Sequence, residues 1–111
     1  KSYSINYIPA RDVVFSGDSK IAYLDADLLQ FPLKLRLWNN GDYFYPLGMN
    51  KKKKLNQFLG SLKLSPAIKA MTTVLCSDSK IVWVVGQRID DRFKITPNTK
   101  RVLKITFLSK S

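Results

Sequence analysis

Apolar residues in this chain occur in short runs, the longest about five residues, as in Ile81-Val82-Trp83-Val84-Val85, and elsewhere they alternate with polar neighbours. A period of two puts successive side chains on opposite faces of an extended strand, so the pattern favours short, half-buried strands over long helices. Tyr3, Ile5 and Tyr7 alternate until Pro9, and Leu33, Leu35 and Leu37 alternate with Lys34, Arg36 and Trp38, which predicts two such strands. Gly17-Asp18-Ser19, between Val13-Val14-Phe15 and Ile21-Ala22-Tyr23-Leu24, predicts a hairpin. Asn39-Asn40-Gly41-Asp42 reads as a turn leading into a short strand, Tyr43-Phe44-Tyr45, that ends at Pro46. Further strands are expected at Thr73–Ser77, Lys80–Val85, Arg92–Ile95 and Lys100–Leu108, with a turn at Ser77-Asp78-Ser79 and a break at Gly86.

The spacing changes after Gly48. Leu55, Phe58, Leu59 and Leu62 fall three and four residues apart, which predicts a helix over about Lys52–Leu62. Gly60 weakens that helix slightly. Ser65-Pro66 has the form of an N-cap followed by proline at the first helical position, and so opens a second helical turn. The expected class is mainly β with one or two short helices (α+β), arranged as sandwiched sheets. With 111 residues the chain has the size of one domain. Residues 1–35 are either strands of that fold or a connector leading into a unit spanning 36–111. The opening Lys1-Ser2-Tyr3-Ser4-Ile5 lacks an initiator Met and already alternates like a strand, so the chain reads as an excised domain. No run approaches the ~20 apolar residues of a membrane-spanning helix, and no basic-then-apolar leader is present, so no membrane partner is expected.

Charge narrows the function. Lys plus Arg number 19 against 8 acidic residues, all of them Asp, for a formal +11, and His is absent. Residues 1–35 hold four basic residues (Lys1, Arg11, Lys20, Lys34) and four acidic ones (Asp12, Asp18, Asp25, Asp27), so the whole surplus belongs to residues 36–111. A surplus confined to one part of a chain points to one basic face aimed at a polyanion. Lys51-Lys52-Lys53-Lys54 is its densest cluster, fixed after Pro46-Leu47-Gly48 and directly before the helix. Four adjacent ammonium groups repel one another unless an anion lies nearby, and the first amides of a helix would add to the attraction for phosphate. The alternative is a solvated run that only confers solubility.

Asp90-Asp91 raises the question of acid/base or Mg²⁺ chemistry. Neighbouring residues on a strand face opposite ways, and Arg88 and Arg92 flank the pair, so the better reading is two carboxylates that hold a turn and orient the arginines. Most aromatic residues alternate within strands and belong to a core; Tyr43 and Tyr45 are the candidates for an exposed stacking surface. Cys76 is the only cysteine and sits in Val74-Leu75-Cys76, as a small core residue in a reducing compartment. Without His, with one Cys and without a Gly-rich phosphate loop, the sequence contains no catalytic centre and no metal set.

Taken in order, Arg36-Leu37-Trp38-Asn39-Asn40-Gly41-Asp42, Pro46-Leu47-Gly48-Met49, Lys53-Lys54-Leu55 and Val82-Trp83-Val84-Val85-Gly86-Gln87-Arg88-Ile89-Asp90-Asp91-Arg92-Phe93-Lys94-Ile95-Thr96 resemble the signature of the carboxy-terminal domain of bacterial tRNA(Ile)-lysidine synthetases. The resemblance spans about residues 36–105. It implies a cytoplasmic enzyme that uses ATP and Mg²⁺, in a separate catalytic domain, to ligate lysine to the wobble cytidine of tRNA(Ile) with a CAU anticodon. This chain lacks that catalytic domain's ATP loop and is expected to be no enzyme by itself, with no cofactor of its own. The resemblance further implies a fold shared with a domain of the phenylalanyl-tRNA synthetase β chain. It implies a grip on the acceptor stem, with Arg36, Lys53, Lys54, Arg88 and Arg92 as the basic members of the matching motifs and Gly41, Gly48 and Gly86 as architecture. Lys51, Lys52 and Lys94 complete the expected tRNA-binding set. The match lapses at Ala67-Ile68-Lys69-Ala70-Met71-Thr72-Thr73, where the family often carries arginines and a proline, and Asn56 stands where an acidic residue is usual. The enzyme's own amino-terminal domain and a second copy of the enzyme are the other implied partners. The competing reading is a structural or dimer-ordering module of the same enzyme with no RNA contact.

Overall fold

A computed structural model describes residues 2–108. Strands β1 (Ser2–Pro9) and β2 (Ile21–Asp25) flank the long closing strand β9 (Arg101–Leu108) in an antiparallel sheet ordered β1-β9-β2. A second antiparallel sheet is ordered β3-β6-β7-β8, from β3 (Lys34–Leu37), β6 (Thr73–Ser77), β7 (Lys80–Val84) and β8 (Arg88–Ile89). A two-stranded ribbon pairs β4 (Tyr43–Phe44) with β5 (Lys53–Lys54). The helices α1 (Leu55–Ser61) and α2 (Pro66–Ala70) connect that ribbon to β6. Ser65 does cap α2, its side-chain oxygen accepting the Ile68 N–H, with Pro66 at the first position.

The second sheet is the middle layer of the molecule. On one side Leu75, Trp83 and Val85 pack with Ala22, Leu24, Leu103 and Ile105 of the first sheet. On the other side Val74, Cys76, Ile81 and Val84 pack with Phe44 and with Leu55, Phe58 and Leu59 of α1. A strand covered on both faces must be apolar throughout rather than alternating, and all five residues of β6 are buried. The run Ile81–Val85 is continuous for the same reason. It also contains an irregularity: Leu75 pairs with Trp83 but Cys76 with Ile81, leaving Val82 as an extra residue opposite them. This bulge resets the alternation, so that Val82 and Trp83 both face the first sheet. Cys76 is free and buried, as a core thiol should be.

Three sequence expectations change. Val13-Val14-Phe15 does not form a hairpin with Ile21–Leu24; β2 pairs with β9, whose other edge is taken by β1. Residues 13–18 instead follow a 3-10 turn at Ala10–Asp12 as a loop tied down by Tyr23, whose hydroxyl donates to Val14 O (3.2 Å) and accepts the Ser16 N–H (3.0 Å). Leu35 and Leu37 lie on a strand as expected, but β3 is a sheet edge, and both remain exposed beyond the reach of the first sheet. Arg92–Ile95 is not a strand: the Asp90 carboxylate accepts the Arg92 N–H and turns the chain into a 3-10 helix, Asp91–Phe93. The sheet positions of β1 and β2 place residues 2–25 directly against β9.

Candidate nucleic-acid interface

The extended segment from Tyr43 to Leu47 is the spine on which the basic residues gather. Its first two residues pair with the lysine run, Tyr43 with Lys54 and Phe44 with Lys53. Its later residues run beside the end of β8: the Asp91 N–H donates to Tyr45 O (2.6 Å), Leu47 N–H donates to Ile89 O (3.1 Å), and Pro46 bridges Asp90. The two motifs most distant in sequence, Lys51–Lys54 and Arg88–Lys94, are thereby set on opposite flanks of one short strand. Gly48, with φ of +87°, and Gly86, with φ of +79°, make the turns that allow it, in a conformation a side chain disfavours.

Three carboxylates on or beside the spine hold three of the cations. Asp42 accepts Arg36 through both oxygens (2.8 and 3.0 Å) and also accepts the Asn39 N–H (2.7 Å). Asp90 has a fully buried side chain; one oxygen accepts Arg92 N–H and Nε (2.8 and 3.0 Å), the other Arg92 Nη2 and the Tyr45 N–H (2.9 and 3.0 Å). Asp91 accepts the Gly48 N–H and Lys94 Nζ, both at 3.1 Å. The hydrogen bonds to Asp42 and Asp90 raise the pKa of Arg36 and Arg92 above the usual arginine value. Burial alone would raise the Asp42 carboxyl, but the bonds from Arg36 and Asn39 outweigh it and hold Asp42 below the ordinary aspartate range. Asp91 is lowered first by the Gly48 N–H, against a small opposing effect of burial, with Lys94 helping.

A depressed folded-state pKa stabilises the fold above the unfolded value and loses that contribution as pH falls through the folded value. The urea midpoint should therefore hold from pH 7 to about 5 and drop below the ordinary aspartate value of about 3.9. Asp42→Asn should flatten part of that drop and cost about 1 kcal/mol at pH 7. A midpoint that falls equally steeply in wild type and variant would remove Asp42 from this role.

Lys51, Lys52, Lys53, Lys54 and Arg88 have no carboxylate within ion-pair distance among the described residues. The expectation that Arg88 pairs with an aspartate fails, because Arg92 takes Asp90 and Lys94 takes Asp91. Arg88 instead lies over the Phe58 ring (5.6 Å), which also carries Lys53 (5.9 Å). Lys52 covers Tyr43 (4.4 Å) and Arg92 covers Tyr45 (4.3 Å), with the two rings edge to face at 6.4 Å. Tyr43 and Tyr45, expected as stacking platforms for bases, thus hold cations on their faces. The helix contributes less than its position suggested. Lys53–Lys54 form a strand and α1 begins at Leu55, whose N–H already donates to Asp42 O (2.9 Å).

One basic residue was missed. Lys80 joins Arg36, Tyr43 and Arg92 around a polar depression of about 170 Å³. An isolated lysine after a turn carries no local signal; only the β6–β7 pairing brings it here. Lys51 and Lys94 meet around a second depression beside Gly48 and Met49. In the divergent stretch, Lys69 donates to Asn56 Oδ1 (2.8 Å) and lies 5.7 Å from the Trp38 ring, whose Nε1 donates to Lys69 O (2.8 Å).

Comparison with known proteins accords with this geometry. A family model described as the TilS substrate C-terminal domain matches residues 33–105. The chain is 50% identical over 97 residues to a tRNA(Ile)-lysidine synthase of Parabacteroides distasonis, covering 87% of the chain and 22% of that protein. It is 41% identical over 86 residues to the synthase of Bacteroides thetaiotaomicron, covering 78% of the chain and 20% of the relative. The chain thus spans about a fifth of these relatives' length. Among solved structures, a TilS C-terminal domain superposes with a TM-score of 0.75 at 18% identity, over 94% of this chain and 82% of that one. An N-terminal fragment of the phenylalanyl-tRNA synthetase β-subunit of Pyrococcus horikoshii superposes with a TM-score of 0.63 at 18% identity, over 77% of this chain and 27% of that one. The fold is therefore the mainly β one shared with that fragment, and the chain belongs to the TilS substrate C-terminal domain family, the carboxy-terminal domain of tRNA(Ile)-lysidine synthase.

Proposed function

We propose that this chain is the tRNA-binding accessory domain of a tRNA(Ile)-lysidine synthase, gripping the acceptor stem with the basic face built on Tyr43–Leu47. The observation that carries the reading is the convergence of Lys51–Lys54, Lys80 and Arg88, none paired with a carboxylate among the described residues, onto one spine with Arg36, Arg92 and Lys94. Such a surface neutralises phosphates, and an A-form stem, whose deep major groove excludes side chains, is gripped by its backbone and riboses rather than its base edges. In this reading the catalytic domain elsewhere in the protein binds ATP and Mg²⁺ and ligates lysine to the wobble cytidine of tRNA(Ile) with a CAU anticodon. The domain itself has no catalytic role. Its partners are that tRNA, the enzyme's own amino-terminal domain and, in a dimer, a second subunit. A tRNA substrate and a free buried thiol support a cytoplasmic setting.

Filter binding of tRNA(Ile) between about 50 and 200 mM salt tests the grip. A phosphate-based interface loses affinity linearly in log–log terms, with a slope near 0.7–0.9 per phosphate neutralised, so four or more contacts give a fall of about fifty-fold or greater. Binding that is absent or indifferent to salt would favour a purely structural module and end this assignment.

A further inference from the structure

A cavity of about 420 Å³ opens beside the basic face, within the range of small-molecule sites, roughly 300–1,000 Å³. Phe15, Tyr23, Leu47, Trp83, Ile89 and Ile95 give it apolar walls. Its only charged lining residues are Arg88 and Lys94, both positive. The half-buried Gln87 and the hydroxyls of Ser16 and Ser19 add neutral groups that both donate and accept hydrogen bonds. We propose that this cavity receives one unpaired nucleobase of the bound RNA, stacked on Phe15, with Arg88 and Lys94 taking the adjoining phosphates.

The inference rests on the RNA-binding reading above and names a second mode of contact within it. Phe15 is 63% exposed, yet it is not loose. Its ring stands edge-on to Tyr23 at 5.0 Å, and the Tyr23 hydroxyl fastens the loop on both sides of it through Val14 O and the Ser16 N–H. An apolar ring held in solvent costs hydration free energy that nothing else in the fold recovers. The other exposed rings are differently employed. Tyr7 lies under Arg101 at 4.6 Å and Tyr43 under Lys52 at 4.4 Å, whereas Phe31 shares its depression with the acidic Asp78. Phe15 alone among them combines an uncovered face with a wholly cationic rim. Charge excludes an acidic lining and apolar walls exclude phosphate alone as the occupant; a planar base joined to phosphates satisfies both.

A single-stranded pentaribonucleotide with 2-aminopurine at its centre probes the cavity, and a blunt RNA hairpin probes the stem grip in parallel. Wild-type chain should quench the 2-aminopurine emission. Phe15→Ala should lose the quench and bind the pentamer about ten-fold more weakly, as expected for one stacked base. The same variant should bind the hairpin like wild type, which also shows it folded, and Phe15→Trp should restore the quench. A pentamer that is not quenched, or is quenched equally by Phe15→Ala, while the hairpin still binds, overturns the base site and leaves the stem grip standing. Failure of the wild-type chain to bind either RNA at low salt overturns both.

Discussion

Reversing Lys52, Lys53 and Lys54 to Glu is expected to weaken tRNA binding by about a hundred-fold or more near 0.1 M salt, and to lower the log–log salt slope by about three. The lysines have no carboxylate within ion-pair distance among the described residues, so each reversal removes an attraction and adds a repulsion of similar size without relieving any internal contact. The fold should survive. Lys52 and Lys54 are exposed, β5 is held to β4 by its backbone, and only Lys53 is half-buried, against Phe58. Exposed substitutions of this kind usually change stability by no more than about 0.5 kcal/mol each. In the complete enzyme the loss should appear in KM for tRNA more than in kcat, because this domain positions the RNA rather than reacting with it. Circular dichroism like wild type together with unchanged tRNA affinity would remove the lysine run from the interface.

The largest effect on stability is expected from Asp90→Ala. Asp90 is an acceptor only, fully buried, and its two oxygens collect four hydrogen bonds from Arg92 and Tyr45. Truncation strands the Tyr45 and Arg92 N–H groups and leaves a guanidinium facing a buried gap. Removing one partner of a buried pair costs about 3–5 kcal/mol; Arg92 reaches solvent, so about 3 kcal/mol is the expected loss. Urea unfolding at pH 7 measures it. Asp90→Asn, which keeps one carbonyl acceptor, should cost distinctly less. RNA affinity should fall as well, since the carboxylate is what joins β8 to the spine and keeps the two cationic flanks in register. An Asp90→Ala protein as stable as wild type would show that Pro46 and Leu47 are aligned by packing instead.

Local chemistry was legible wherever the deciding contact lies within a few residues. Ser65 and Pro66 announce α2 because a cap is a contact made three residues away. The turn at Asn39–Asp42 and the break at Gly86 follow from the conformations those residues tolerate. Partner choice was not legible. Val13-Val14-Phe15 looks like half a hairpin, but whether it pairs depends on which strands reach β9 first, and that is settled some 80 residues away. The alternating leucines of β3 describe a strand correctly and its burial wrongly, because an edge position cannot be read from the strand itself. The same holds for the basic face. Composition located the surplus in residues 36–111 and the motifs named most of its members, but Lys80 enters only through the β6–β7 pairing. Arg88 was assigned an aspartate that geometry gives to Arg92.

The ion pairs at Asp42 and Asp90 have a consequence for what the surface can tell apart. A lysine ammonium is a mobile point charge that follows a phosphate across several ångströms, whereas a guanidinium fastened by two parallel bonds offers its remaining N–H groups in one direction only. Arg36 and Arg92 are also spared most of the rotamer entropy that a free arginine would lose on docking. In the proposed complex the lysines then supply adhesion that almost any polyphosphate would satisfy, and the two arginines act as a gauge of inter-strand spacing. A helix of B-form dimensions would meet the first set and miss the second, so discrimination between RNA and DNA duplexes would reside in residues that contribute little of the total attraction.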